Sequence, residues 1–329
     1  MKRVSPAEKL EIIRLVEDSS LPVKQTLEEL DIPRSTFYRW YSRYQVEGMD
    51  GLVNHAPRAH HCWNRIPDAI RAAVVEMALA HPELSPRELA CQFTDTQQYF
   101  ISEPSVYRIL KAHDLVTSPA FTVITTDKQF KHPTKRVNEM WQTDFTQFKV
   151  IGWGWYYLST VLDDYSRYII AWKLATGMAA TDVQDTLDLA LAKTGVTQVK
   201  IEQRPRLLSD NGPAYVSHEL ARYLEQHQMH HIRGKPYHPM TQGKIERYHR
   251  SLKTVICLDN HYFPWELEHA IADFIDHYNH RRYHEALQNM TPADVFFGRA
   301  HTILAQRDQI KRTTLIQRRT QHLLVSSAV

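Results

Sequence analysis

The chain reads as an α/β protein, a mixed sheet flanked by helices, preceded by all-α helix-turn-helix domains. Three features of its 329 residues predict this. Helix-start signals and apolar stripes of helical period fill roughly the first third. Aromatic and β-branched runs broken by turn residues take over from Met140. Short apolar strands then alternate with amphipathic helices, as a sheet covered on its faces requires.

In chain order, Ser5, Pro6 and Glu8 form a capping box with proline at the first helical position. Leu10, Ile13, Leu15 and Val16 supply the stripe behind it. A second helix runs from about Val23 to Leu30 and stops at Asp31-Ile-Pro. A third opens at Arg34, with Phe37, Trp40, Tyr41 and Tyr44 on one face and Arg34, Arg39 and Arg43 left for other surfaces. This is a helix-turn-helix layout with a basic third helix; a trihelical module that only packs is the alternative. Ser85, Pro86 and Glu88 repeat the capping box, and Pro104-Ser-Val-Tyr-Arg echoes Ser35-Thr-Phe-Tyr-Arg, placing Arg108 where Arg39 stood. Two units in tandem are inferred, residues 1–56 and 65–117, with a spacer from Gly48 to Arg65 and a linker at 118–135.

Three antiparallel strands are expected over Met140–Val150, Trp155–Leu162 and Tyr168–Leu174. There follow a helix from about Thr181 to Lys193, a strand Arg206–Ser209, a helix Ser217–His227, a strand His230–Arg233, and long helices from Gln242 and Pro264. This core spans 136–298, and a basic tail occupies 299–329.

The composition narrows the function classes. The chain is 43% hydrophobic and 23% charged, and no apolar run approaches the roughly 18 residues of a membrane span. No secretory core follows the basic start, so the expectation is a cytoplasmic, nucleoid-associated protein without a membrane partner. Cys62, Cys91 and Cys257 are read as reduced thiols, and His60, His61 and Cys62 as loop rather than a zinc site. The net charge is only +3, so the distribution matters more than the sum. Arg233–Lys253 and Arg299–Val329 each hold six basic residues against one acid. Both are candidate phosphate-facing surfaces, with a solvated basic face as the alternative for the tail.

Asp144 lies within a strand, Asp210 at a strand end before a turn, and Glu246 in the first turns of a helix, where amide dipoles favour negative charge. Each alone has a bland reading as a satisfied polar residue or a helix-start acid. Together, converging at one sheet edge, they form a set of hard oxygen ligands suited to magnesium. Two such ions about 3.5 to 4 Å apart can serve an in-line displacement at phosphorus. Arg250 and Lys253 follow Glu246 on one helix face and suit phosphate positioning; Lys244 and Arg247 are weaker candidates. Asn211, Gly212 and His238 shape the surrounding loops, and Gln242 is a possible DNA contact. Asp163 and Asp164 are assigned to a turn, because adjacent residues of an extended chain face opposite ways.

The segments WQTDF, VLDDYSRY, LLSDNGPAY, YHPMTQGKIERYHRSLK and YNHRRYHEALQNMTPADVF, with 35 residues between Asp210 and Glu246, resemble the catalytic core of retroviral integrases and insertion-sequence transposases. The resemblance runs from about Arg136 to Gly298. It implies an RNase H-like fold, two magnesium ions replaceable by manganese, and DNA end cleavage followed by strand transfer, with Asp144, Asp210 and Glu246 as the acidic triad. Tandem helix-turn-helix units before such a core resemble bacterial insertion-sequence transposases, whereas retroviral integrases begin with a His/Cys zinc module not seen here. The implied partners are double-stranded DNA, both terminal repeats and target, and further copies of the chain. Alternatives are an RNase H-like nuclease that cuts without joining and a catalytically silent DNA-binding regulator.

Overall fold

The computed structural model describes residues 4–19, 21–53, 63–115, 134–198, 200–234 and 242–327. Most of the 118–135 linker, the His60-His61-Cys62 cluster and His238 lie outside them. The chain divides into two compact units, Met1–Arg65 with Gln321–Val329, and Ile66–Thr320.

In the first unit, α1 (Pro6–Asp18), α2 (Val23–Glu29) and α3 (Arg34–Glu47) enclose Ile13, Val16, Leu27 and Phe37. The capping box forms as read, with Glu8 Oε2 accepting from the Ser5 N–H at 2.6 Å and Ser5 Oγ from the Glu8 N–H at 3.3 Å. Leu15 is a correction: it is 51% exposed, since two positions beyond Ile13 a helix has turned to another face. The spacer also begins later than read. Gly48–Leu52 forms a 3-10 turn that buries Leu52 in the same core. A Cβ at Gly51 would lie 2.5 Å from the Arg43 carbonyl oxygen, so only glycine fits this close approach.

The second unit opens with α4 (Asp68–Ala80), α5 (Pro86–Gln97) and α6 (Glu103–Ala112), packed around Val74, Leu89, Phe93, Val106 and Ile109. The two capping boxes are therefore not equivalent. Ser5 starts the first helix of its trio, whereas Ser85 starts the second helix of the other. A capping box marks a helix start without saying which helix it is. The Tyr-Arg echo does join equivalent third helices, α3 and α6.

The sheet has strand order β3-β2-β1-β4-β5, from β1 (Met140–Val150), β2 (Gly154–Asp163), β3 (Ile169–Ala175), β4 (Arg206–Ser209) and β5 (His231–Arg233). β1, β2 and β3 are antiparallel, and β4 and β5 add in parallel. A parallel addition needs a crossover, which passes through α7 (Ala180–Thr194) to β4 and α8 (His218–Gln226) to β5. The two-residue period of β1 sorts its side chains between two cores. Trp141 joins Leu187, Leu207 and Leu220 on the α7/α8 face. Phe148 and Val150 join Ile245, Leu252 and Ile271 under α9 (Gly243–Ile256) and α10 (Pro264–His280). Helices on both faces of a three-antiparallel, two-parallel sheet make the fold RNase H-like. Short α11 (Pro292–Phe296) and long α12 (Ala300–Ser327) follow.

Candidate active site

β1 is the central strand, so Asp144 stands in the middle of the sheet rather than at an edge as the sequence suggested. β1 and β4 run parallel with Met140 beside Arg206 and Gln142 beside Leu208. The same offset continued past the end of β4 sets Asp210 level with Asp144. Gly212 follows closely because its N–H donates to Asp210 Oδ1 at 2.9 Å, and a Cβ there would crowd that oxygen at 3.1 Å. Partial burial first, and the nearby Asp144 charge after it, push the Asp210 carboxyl above its ordinary value against the stabilising Gly212 N–H.

Asp144 has even parity on β1 and faces α9. Its Oδ1 accepts from the Phe145 N–H at 2.8 Å, and its Oδ2 lies 3.4 Å from His249 Nδ1. Glu246 stands on the first turn of α9, exposed. Asp144 and Glu246 line one cleft of about 590 Å3 with His249, Arg250 and Lys253. Tyr215, buried, approaches Thr143 Oγ1 at 3.5 Å beside the aspartates. Burial above all, with the charges of Asp144 and Asp210 adding to it, keeps its phenol protonated.

What holds α9 in place was not legible. Gln142 Oε1 accepts from the Ile245 N–H at 3.1 Å, one of the amides that a helix start leaves without an internal partner. Gln142 Nε2 donates to Asp164 Oδ1 at 2.7 Å, and Asp164 Oδ2 accepts from Lys244 Nζ at 2.5 Å and Thr134 Oγ1 at 2.6 Å. Asp163, next door, takes the Asn138 N–H at 2.8 Å and the Ser166 N–H at 2.8 Å. The DDYSR turn is thus structural, as read, and also ties the strand of Asp144 to the helix of Glu246.

Lys244, read as a candidate DNA contact, has its ammonium against the buried Asp164 carboxylate in this structure. Gln242, offered as a possible DNA contact, is buried with its amide 3.5 Å from the Thr143 carbonyl oxygen. Arg250 and Lys253 are exposed on the Glu246 face. Arg34, Arg39 and Arg43 are exposed on α3, and Arg108 on α6 donates to its own helix at the Pro104 carbonyl, 3.0 Å.

Residues 134–239 and 227–292 match the integrase core domain family, and residues 3–53 and 36–110 match homeodomain-like domains. The integrase core matches overlap and together run from residue 134 to residue 292. Across 83% of its length it is 24% identical to the putative transposase InsK of insertion sequence element IS150 from Escherichia coli (strain K12), covering 93% of that protein. It is 31% identical over 47% of its length to a Gag-Pro-Pol polyprotein of sheep pulmonary adenomatosis virus, and spans only 8% of that polyprotein. Among solved structures, the simian T-cell lymphotropic virus intasome in complex with PP2A regulatory subunit B56 gamma aligns at TM-score 0.44 and 20% identity, over 68% of this chain and 74% of that one. The HTLV-2 integrase catalytic core domain in complex with magnesium aligns at TM-score 0.39 and 20% identity, over 49% of this chain and 97% of that one.

The candidate site presents oxygen donors without strong counter-charge. Among the described residues, no lysine or arginine pairs with Asp144, Asp210 or Glu246. Carboxylates lacking such partners suit a hard divalent cation. As they stand, no three His, Cys, Asp or Glu side chains among the described residues form a ready-made cage; carboxylates repel one another unless a cation draws them together.

The basic tail, open between a phosphate-facing surface and a solvated face in the sequence, makes contacts within the chain. Arg299–Val329 carries α12, whose cations are partly spent inside the second unit. Arg307 pairs with Asp95 at 2.6 and 2.8 Å, and Arg318, buried, donates to the Phe100 carbonyl at 2.7 Å. The Phe100 N–H donates to Thr314 Oγ1 at 2.9 Å. No helix among the described residues is long and apolar enough to cross a membrane.

Proposed function

We propose that the chain is a DDE transposase that cuts the ends of a DNA element and joins them to target DNA, with Asp144, Asp210 and Glu246 as its metal-binding triad. The observation that carries this reading is the convergence of Asp144 and Asp210 on neighbouring parallel strands beside a cleft that Glu246 also lines. Two divalent cations held there, magnesium with manganese as substitute, would activate an attacking oxygen and stabilise a leaving one. Arg250 and Lys253 on the same helix face would hold the scissile phosphate over the carboxylates. Gly212, through its N–H, would keep Asp210 aimed while the cleft is empty of DNA.

Cleavage at the element's end consumes water and leaves a 3′ hydroxyl. That hydroxyl then displaces a 3′ oxygen in a target phosphodiester, so both steps are the same in-line exchange and need no covalent protein intermediate. In this reading residues 1–56 and 65–117 are DNA-binding domains joined to the 136–298 core by the 118–135 linker, with 299–329 as the C-terminal segment. Arg34, Arg39, Arg43 and Arg108 would contact the terminal repeats. Because two ends must be brought together, the working form would be a homo-oligomer on DNA.

The test incubates the full chain with labelled DNA ends from the sequence flanking its gene, a supercoiled plasmid, and magnesium or manganese. Joined products that vanish with chelator support the transposase. Cut ends without joined products would support a nuclease instead, and DNA binding with neither product a silent regulator.

A further inference from the structure

We infer that His249 is a positioning residue of the metal site, holding the Asp144 carboxylate in the direction a cation needs; the inference rests on the triad reading above. His249 stands three residues after Glu246 on α9 and is 7% exposed. On a helix this spacing carries the two side chains along one side. Glu246 emerges into the cleft, while the imidazole turns inward onto β1. Its Nδ1 lies 3.4 Å from Asp144 Oδ2, and both residues border the same cleft.

The two Asp144 oxygens are treated unequally. Oδ1 is fixed by a 2.8 Å bond from the Phe145 N–H, a local contact that leaves rotation of the outer oxygen unchecked. Among the described residues the only side-chain nitrogen placed against that outer oxygen is His249 Nδ1. A separation of this size is typical of a site before its ligand binds, where such contacts tighten only in the working complex. Carboxylates that bind metals are themselves held by outer hydrogen bonds, and loss of one such partner weakens metal binding about 10–100-fold.

The other imidazole nitrogen makes the choice of atom explicit. Nε2 is buried and has no hydrogen-bond partner among the described residues. A proton on Nε2 would strand a donor in the interior, whereas a proton on Nδ1 faces a carboxylate. The ring thus presents its N–H to Asp144 and leaves Nε2 as a bare acceptor against its packing neighbours, which include the Tyr248 ring at 5.3 Å. Because His249 and Glu246 share α9, the contact also fixes the spacing between the first and third carboxylates.

The experiment measures manganese binding to the full chain by electron paramagnetic resonance, without DNA, for wild type and for His249→Ala, His249→Asn and His249→Gln. The asparagine amide nitrogen branches from the same carbon as Nδ1, whereas the glutamine amide reaches the position of Nε2. Alanine should weaken binding about 10–100-fold. Asparagine should recover most of that loss and glutamine little. Melting curves accompany each variant, and the asparagine-to-glutamine comparison stands by itself if alanine unfolds the chain. Equal affinities for asparagine and glutamine, or wild-type affinity for alanine, would overturn the inference. Wild type that binds no manganese, or binds it equally well as Asp144→Asn, would defeat the triad reading, and the positioning role with it.

Discussion

Replacing Lys244 with methionine decides whether that cation serves the fold or DNA. Its Nζ lies 2.5 Å from Asp164 Oδ2 and 2.9 Å from the Asp164 carbonyl oxygen. The Asp164 side chain is only 2% exposed. Burial, first, and the neighbouring Arg167 charge lower the Lys244 pKa, while Asp164 opposes them, so the ammonium depends on its partner to stay charged. Without Lys244, Asp164 keeps only the neutral Thr134 and Gln142 donors on its carboxylate. Breaking one side of a buried pair costs about 3–5 kcal/mol. In a body of this size each kcal/mol moves Tm by about 2–4 °C, so a fall on the order of 10 °C is expected. The double variant Lys244→Met, Asp164→Asn removes both charges and should melt above the sum of the two single losses, with a coupling of about 1–3 kcal/mol. Thermal unfolding by circular dichroism, beside a DNA-binding titration, reads both quantities. An unchanged melting curve with a weakened DNA complex would refute the structural role and restore Lys244 as a DNA contact.

Other outcomes follow from the same contacts. Gln142→Leu removes the acceptor for the Ile245 N–H and a donor to Asp164; a loss of about 2–3 kcal/mol is expected in chemical denaturation, and an unchanged midpoint would contradict the linkage of β1 to α9. Arg307→Ala leaves the Asp95 carboxylate with the Tyr283 hydroxyl at 3.2 Å in place of the guanidinium and frees the Asn289 carbonyl, bonded at 2.7 Å. It should lower stability by about 2–3 kcal/mol, whereas an effect on DNA affinity alone would mean that α12 is a DNA arm. His284 is held down to about 4 by burial, with Arg282 and Arg167 adding to it. The folded chain therefore binds this proton less readily than the unfolded one, whose imidazole titrates near 6.5. Stability present above about pH 6.5 is lost as pH falls towards 4, by at most about 3 kcal/mol. His284→Phe should flatten that part of a Tm-against-pH profile, and an unaltered profile would assign the acid sensitivity elsewhere.

Much of the architecture was legible because it is written in local patterns. The alternation from Met140 to Val150 gave β1 at both ends, and the capping boxes marked the starts of α1 and α5. The proposed acids Asp144, Asp210 and Glu246 come from the segments that resemble integrase and transposase cores. What was hidden depends on pairing across long separations. Nothing near Lys244 announces that Asp164, 80 residues earlier, will hold it, and the partners of α12 lie more than 200 residues upstream. A basic composition reads alike whether the charges face phosphate or a buried carboxylate. His249 did leave a faint signal, a polar ring three residues after Glu246 on a helix packed against β1. Only the parity of Asp144 on that strand shows what the ring meets.

The most direct test compares Asp144→Asn, Asp210→Asn and Glu246→Gln with wild type in the joining of labelled element ends to plasmid. Each substitution is expected to abolish joining while leaving end binding and the melting curve near wild type. Joining that survives any one of them would contradict the three-carboxylate site.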